Sequence, residues 1–315
     1  MAATEGGRPG EAGLERLLAL SGLPAGHGES PQRFADGIRY RLEIPSVEGP
    51  GVLRAVLEEA ELRSIPIRRV SQGSGVMMLT DEEIREMAVM GAAAGIEVSL
   101  FVGPRGAWDT GGQSFVAGAA GGTARGRETL GWCIAEARRA CDLGIRGLLV
   151  GDVGVLSVLS ALRREGELPE TLVLKTSVVM PVANPAAAQV LESLGAGTIN
   201  VATDLSVSDI GEVRSSVGVP VDVYVEVPDD QGGFVRFYEV PELIRAAAPI
   251  YVKLGLRNAP NIYPSGLHLQ SLAQDLGRER VRRAELCLQL VADLAPELVE
   301  KRGDDHPADL GIPEI

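Results

Sequence analysis

The chain has 315 residues, 45% of them hydrophobic, with a formal net charge of −13. That length holds one large domain or two ordinary ones, and that apolar share allows a large core. The acidic balance argues against nucleic acid and against an anionic membrane surface, because both require a basic footprint.

No apolar run approaches the roughly 20 residues that span a bilayer, and the N-terminus lacks the basic-then-apolar pattern of a secretion signal. Cys133, Cys141 and Cys287 fall in helical patterns, without metal-site spacing. They read as reduced thiols of a cytoplasmic protein. Residues 1–36, rich in Gly, Pro, Ala and Glu, are expected to form a partly disordered leader with a short helix at Glu11–Ser21.

From there strands and helices alternate. Arg39–Ser46 reads as a first strand, and Gly51–Leu62 follows with helical apolar spacing. Ile65–Gln72 is a second strand whose two arginines fit poorly with burial. Thr80, with Glu83 three residues on, predicts a capping box and a helix to Ala94. Ile96–Val102 is a third strand. Residues 103–124 then break the rhythm with seven glycines in 22 residues. They carry Arg105, Trp108, Asp109 and Gln113, and read either as a lid or as a disordered loop.

A helix at Arg127–Leu143 leads to strand four, Gly147–Val150, which ends at Asp152. Helix Val153–Glu165, strand Leu172–Ser177, and a helix at Pro185–Leu194 capped by Asn184 come next. Strand six is Thr198–Val201, running toward Asp204, and Ser206 caps Val207–Val217. Strand seven is Val221–Val227, followed by a hairpin-like insert at Pro228–Tyr238. Helix Val240–Ala247 leads into strand eight, the stretch Ile250–Asn258, and a long helical region at Gly266–Leu298 returns over the outside. Residues 299–315 read as a polar tail.

Eight strand–helix units over residues 37–298, with strands apolar throughout, predict a closed (β/α)₈ barrel of the TIM type. An open doubly wound sheet is the alternative, and no Gly-x-Gly-x-x-Gly follows the first strand. In such barrels the site lies at the C-terminal strand ends. That rule offers Glu43 and Ser46, Gln72, Asp152, Lys175 and Ser177, Asn200 and Asp204, Tyr224 and Glu226, then Lys253, Arg257 and Asn258. His268 stands just past strand eight.

Only three of the 30 basic residues are lysines, namely Lys175, Lys253 and Lys301, and the first two sit where strands run out. An ammonium loses its proton on burial far more readily than a guanidinium. The plainer reading is that both are strand-end lysines whose stems cover apolar surface. Asp152, Lys175, Glu226 and Lys253 are therefore the candidate catalytic residues. Glu43, Gln72, Arg105, Asn200, Asp204, Arg257, Asn258 and His268 are candidate substrate contacts. The preferred arrangement has Asp152 or Glu226 holding Lys253 charged, so that Lys253 and Arg257 clamp an anionic or amide-bearing small molecule. The alternative is a Schiff base on a barrel lysine. No metal is firmly implied. A Mg²⁺ or Mn²⁺ ion on Asp152, Asp204 and Glu226 is the one set weighed. The long C-terminal helix could also serve a homo-oligomer.

Several stretches resemble one family. They are Gly144-Ile-Arg-Gly-Leu-Leu-Val-Gly-Asp152, the Ser177 to Asn184 segment with its helix, Asp204-Leu-Ser-Val-Ser-Asp-Ile210, and Val252-Lys253-Leu254-Gly255-Leu256-Arg257. In order and kind they are similar to the collagenase-like peptidases of family U32. That resemblance implies a barrel and a bond-cleaving, peptidase-like hydrolase. Val225-Glu226-Val227-Pro228-Asp229 stands where the family carries its histidine and cysteine motif. Cleavage of a small substrate without a redox cofactor is thus the leading expectation. A lyase or aldolase is its rival, and a noncatalytic barrel subunit of a larger complex is the reading from another class.

Overall fold

The computed structural model describes residues 11–23, 28–106, 121–180, 182–300, 303 and 306–315. Trp108, Asp109 and Gln113 of the expected lid lie outside them. Eight parallel strands are present: β1 (Tyr40–Pro45), β2 (Ile67–Gln72), β3 (Glu97–Phe101), β4 (Gly147–Val150), β5 (Val173–Thr176), β6 (Ile199–Asn200), β7 (Val221–Glu226) and β8 (Ile250–Leu254). They pair in the order β5-β4-β3-β2-β1-β8-β7-β6. A parallel bridge from Lys175 to Thr198 joins the two ends. The fold is a (β/α)₈ barrel, as the alternation of elements predicts.

A short helix α1 (Glu11–Leu20) precedes the barrel. Its outer layer comprises α2 (Pro50–Arg63), α3 (Asp81–Ala94), α4 (Gly126–Asp142), α5 (Val153–Arg164), α6 (Pro185–Ser193), α7 (Val207–Ser215), α8 (Val240–Ala247) and α9 (Gln270–Leu294). Local chemistry starts these helices. The Thr80–Glu83 capping box opens α3, Asn184 with Pro185 opens α6, and a Ser206–Asp209 box opens α7. The last helical region is divided: a 3₁₀ turn at Leu267–Leu269 leads into α9, and Pro296 starts a second turn. The insert after β7 holds 3₁₀ turns and one antiparallel bridge, Glu226 to Val235, in place of a regular hairpin.

Side chains alternate along each strand. Leu42, Ile44, Val98, Leu148, Leu174, Val223 and Val252 face the helices and belong to the continuous apolar core. The inward positions are mostly polar. β2 is fully buried despite its arginines, because the alternation divides them. Arg68 points outward and donates to the Gly303 carbonyl at 2.8 Å, while Arg69 fills the barrel centre among carboxylates.

The segment 306–315 runs beneath the N-terminal end of the barrel. Asp309 pairs with Arg41 of β1 at 2.9 Å, and the Gly311 N–H donates to Glu97 of β3 at 3.0 Å. A Cβ at Gly311 would stand 2.4 Å from the Arg146 carbonyl oxygen, so this approach admits only glycine. With Leu310 buried beside Phe34 and Tyr251, the segment forms a floor.

Candidate active site

The barrel centre is an ion network built from five strands. The Glu43 carboxylate on β1 accepts from Arg69 Nε at 2.8 Å and Ser71 Oγ at 2.7 Å, and from Lys175 Nζ. Lys253 Nζ stands 3.7 Å from it. Asp222 on β7 pairs with Arg69, accepts from Thr198 at 3.0 Å, and lies 3.4 Å from Lys175. The face of Tyr251 supports the Arg69 guanidinium at 3.4 Å.

Two carboxylates thus face three cations in a water-poor interior. Glu97 is a third carboxylate, 3.8 Å from Arg69, and burial raises its pKa. Burial also pushes the Glu43 carboxyl upward, but Arg69, Lys175 and Lys253 outweigh it and hold the group well below the usual carboxylate range. The crowding of the cations is relieved at the lysines, since a guanidinium keeps its proton. Burial first, then the Arg69 charge, lowers Lys175 to about 7. Burial lowers Lys253 as well, against the pull of Glu43 and Asp222, and both amines approach the same Glu43 carboxylate.

Above this network, at the C-terminal strand ends, lies a cavity of about 240 Å³. That volume suits a small molecule. Lys253 and Tyr224 line it, Phe101 and Leu149 supply apolar wall, and Ser46, Tyr263 and Arg105 also face it. The Lys253 amine donates to Asn200 Oδ1 at 2.9 Å and lies 4.1 Å from the centre of the Tyr224 ring. Lys175 is fully buried in the network and does not line the cavity. Arg105 stacks on Phe101 at 4.2 Å and donates to the Gly73 carbonyl at 2.9 Å. Burial lowers its pKa to about 10, which still leaves a cation beside the cavity at neutral pH.

The expected site residues therefore separate. Glu43, Lys175, Asn200 and Lys253 meet in one network, and Gln72 and Arg105 join Lys253 around the cavity. The Gln72 amide is engaged locally, bonding both the N–H and the carbonyl of Gly75. Asp152 caps α5, accepting from the Val155 N–H at 2.9 Å and the Ala124 N–H at 3.2 Å.

A register shift between Tyr224 and Glu226 accompanies the placement of Glu226. Its carboxylate accepts the Arg257 N–H at 3.1 Å and lies 3.9 Å from Arg283 of α9. Lys253 is thus held by Asn200 and Glu43 in place of Asp152 or Glu226. Arg257 is exposed, 3.6 Å from Asp229, so the expected Lys253–Arg257 clamp does not assemble. Asp204, Asn258 and His268 are exposed as well, away from the cavity lining.

Asp152, Asp204 and Glu226 do not converge, and among the described residues no group of three or more His, Cys, Asp or Glu is placed to hold a metal. Arg69, Asp222 and Tyr263 escaped the sequence reading. For Arg69 the available signal was its alternation with Arg68 along one strand.

A (β/α)₈ barrel with a lysine facing a cavity at its C-terminal end defines the class of site. Residues 128–226 match the family model described as Peptidase family U32, which bears out the resemblance to that family. No curated protein matches the chain. Among solved structures, the YdjI aldolase from Escherichia coli K12 is 13% identical with a TM-score of 0.48, covering 80% of this chain and 91% of that one. The putative copper homeostasis protein CutC from Streptococcus agalactiae is 14% identical with a TM-score of 0.46, covering 68% and 97%. The U32 peptidase Mk0906 is 18% identical with a TM-score of 0.40, covering 63% and 73%. No helix among the described residues is long and apolar enough to cross a membrane.

Proposed function

We propose that this chain is a bond-cleaving enzyme whose Lys253 amine forms a Schiff base with a small carbonyl substrate that carries an anionic group. One observation carries the reading: a buried amine faces a small cavity and shares the Glu43 carboxylate with a second lysine whose pKa is lowered to about 7. Lys175, once neutral, takes a proton from the Lys253 ammonium by way of the Glu43 carboxylate between them. The freed lone pair attacks the carbonyl carbon, a C–N bond forms, and the oxygen leaves as water. The resulting iminium accepts the electron pair of a breaking bond next to that carbon, which is lyase or aldolase chemistry. Arg105, a cation among apolar wall residues, suits the anionic end of the substrate.

Borohydride reduction in the presence of pyruvate or another small carbonyl acid tests this. The expected result is a covalent adduct that peptide mapping places on Lys253, and that Lys253→Ala abolishes in a folded protein. An adduct on surface amines alone, unchanged by the substitution, would sink the reading. The family match over residues 128–226 favours a second reading, hydrolysis of a small amide. Cleavage of dipeptides or acyl amides with no borohydride-sensitive intermediate would support it instead.

A further inference from the structure

Several independent features converge on one phenol that the steps above leave unused. Tyr263 lies in the loop after β8 and leans over the residues that follow the neighbouring strands β1 and β2. Its hydroxyl hydrogen-bonds Ser46 Oγ. Ser46 holds a backbone φ of +62°, a left-handed conformation that non-glycine residues rarely adopt. The ring fills the space over Gly73, where a Cβ would stand 2.6 Å from a ring carbon.

The backbone beneath the ring is fixed in turn. The buried Glu48 carboxylate accepts the N–H groups of Gly73 at 2.8 Å and Ser74 at 2.9 Å. Ser74 Oγ accepts the Ser265 N–H at 2.8 Å, tying the tyrosine's own loop to the β2 loop. A strained serine, a sacrificed side chain and a buried carboxylate are more than an ordinary loop needs, and all hold Tyr263 in place. Tyr263, Ser46 and Lys253 line the same cavity.

Resting on the Schiff-base reading, we infer that Tyr263, with Ser46 as its relay, is the acid–base residue that handles the substrate's carbonyl oxygen. Attack by the neutral Lys253 amine sends the C=O π pair onto oxygen, and the Tyr263 O–H gives that oxygen a proton. The phenolate takes back a proton from the attached nitrogen, which leaves a neutral carbinolamine. Tyr263 then protonates the hydroxyl, water departs, and the nitrogen lone pair forms the C=N bond. Solvent at the mouth restores the phenol proton through Ser46. The balance is one carbonyl, one amine and one proton giving one iminium and one water. Burial raises the Tyr263 pKa, so the phenol stays protonated and able to donate.

A proton shuttle changes the rate of imine formation and leaves its equilibrium alone, whereas a binding or structural group changes the equilibrium. The test is therefore a time course in which the full chain is mixed with pyruvate and quenched with borohydride at intervals. Tyr263→Phe is expected to slow the approach to the final adduct about 100-fold, with the same amount of adduct at the end. Ser46→Gly should slow it in the same sense without lowering the unfolding midpoint, because glycine suits the positive φ. An unchanged rate in Tyr263→Phe, or a smaller endpoint reached at the wild-type rate, overturns the assignment while the amine reading stands. No adduct on the wild-type chain overturns both.

Discussion

Lys253 and Lys175 differ in access more than in surroundings. Both amines are buried near Glu43, yet Lys253 lines the cavity while Lys175 is fully buried and does not. On the Schiff-base reading, that division gives one amine to the substrate and leaves the other to accept its proton. Lys175 also carries a pH signature. Its folded pKa is near 7 against an ordinary 10.5, so between these values the unfolded chain binds a proton that the folded chain does not. Stability from this group therefore rises with pH from about 7 toward about 10.5, by at most about 1.4 kcal/mol per pH unit. Urea unfolding of wild type and Lys175→Met across that range should show the rise in the first and its loss in the second. The rate of adduct formation should climb through the same region near pH 7 in wild type, and Lys175→Met should remove that limb.

At the scale of elements, β2 is the instructive strand. Its arginines look wrong for burial because a sequence window cannot show what lies across a barrel. Arg69 meets Asp222, 153 residues away, and Glu43, 26 residues away. Helix starts are different. The caps at Thr80, Asn184 and Ser206 bond within three residues, so they were legible in the sequence, as was the alternation that dictates the barrel. Glu43, Lys175 and Lys253 were legible because buried strand ends with charged residues are unusual. Tyr263 was not, because Ser46 is 217 positions away and an irregular loop joins it to β8. The facing of Glu226 was lost too, since no periodicity announces a register shift. Replacing Arg69 with methionine should cost about 3–5 kcal/mol, because two buried carboxylates lose their shared partner. Guanidinium denaturation measures it, and a change under about 1 kcal/mol would mean that the lysines alone suffice to hold Glu43 and Asp222.

For the molecule as a whole, the barrel has one open end and one covered end. The cavity occupies the C-terminal mouth, and residues 306–315 cover the other. A chain ending at residue 305 should lose about 2–4 kcal/mol, from the buried Leu310 side chain and the hydrogen bond to Glu97. Calorimetry on the truncated and full chains checks this, and equal midpoints would reduce the floor to a passive covering. The same floor also orders events during synthesis. Arg41 is among the first barrel residues to leave the ribosome, yet its partner Asp309 follows 268 positions later. The first strand must therefore wait for nearly the whole chain before its buried guanidinium is fully matched, and at the slower translation rates that wait approaches a minute. Between the completion of β8 and the arrival of that segment, the barrel's N-terminal end lacks the contacts that Asp309 and Gly311 bring to Arg41 and Glu97.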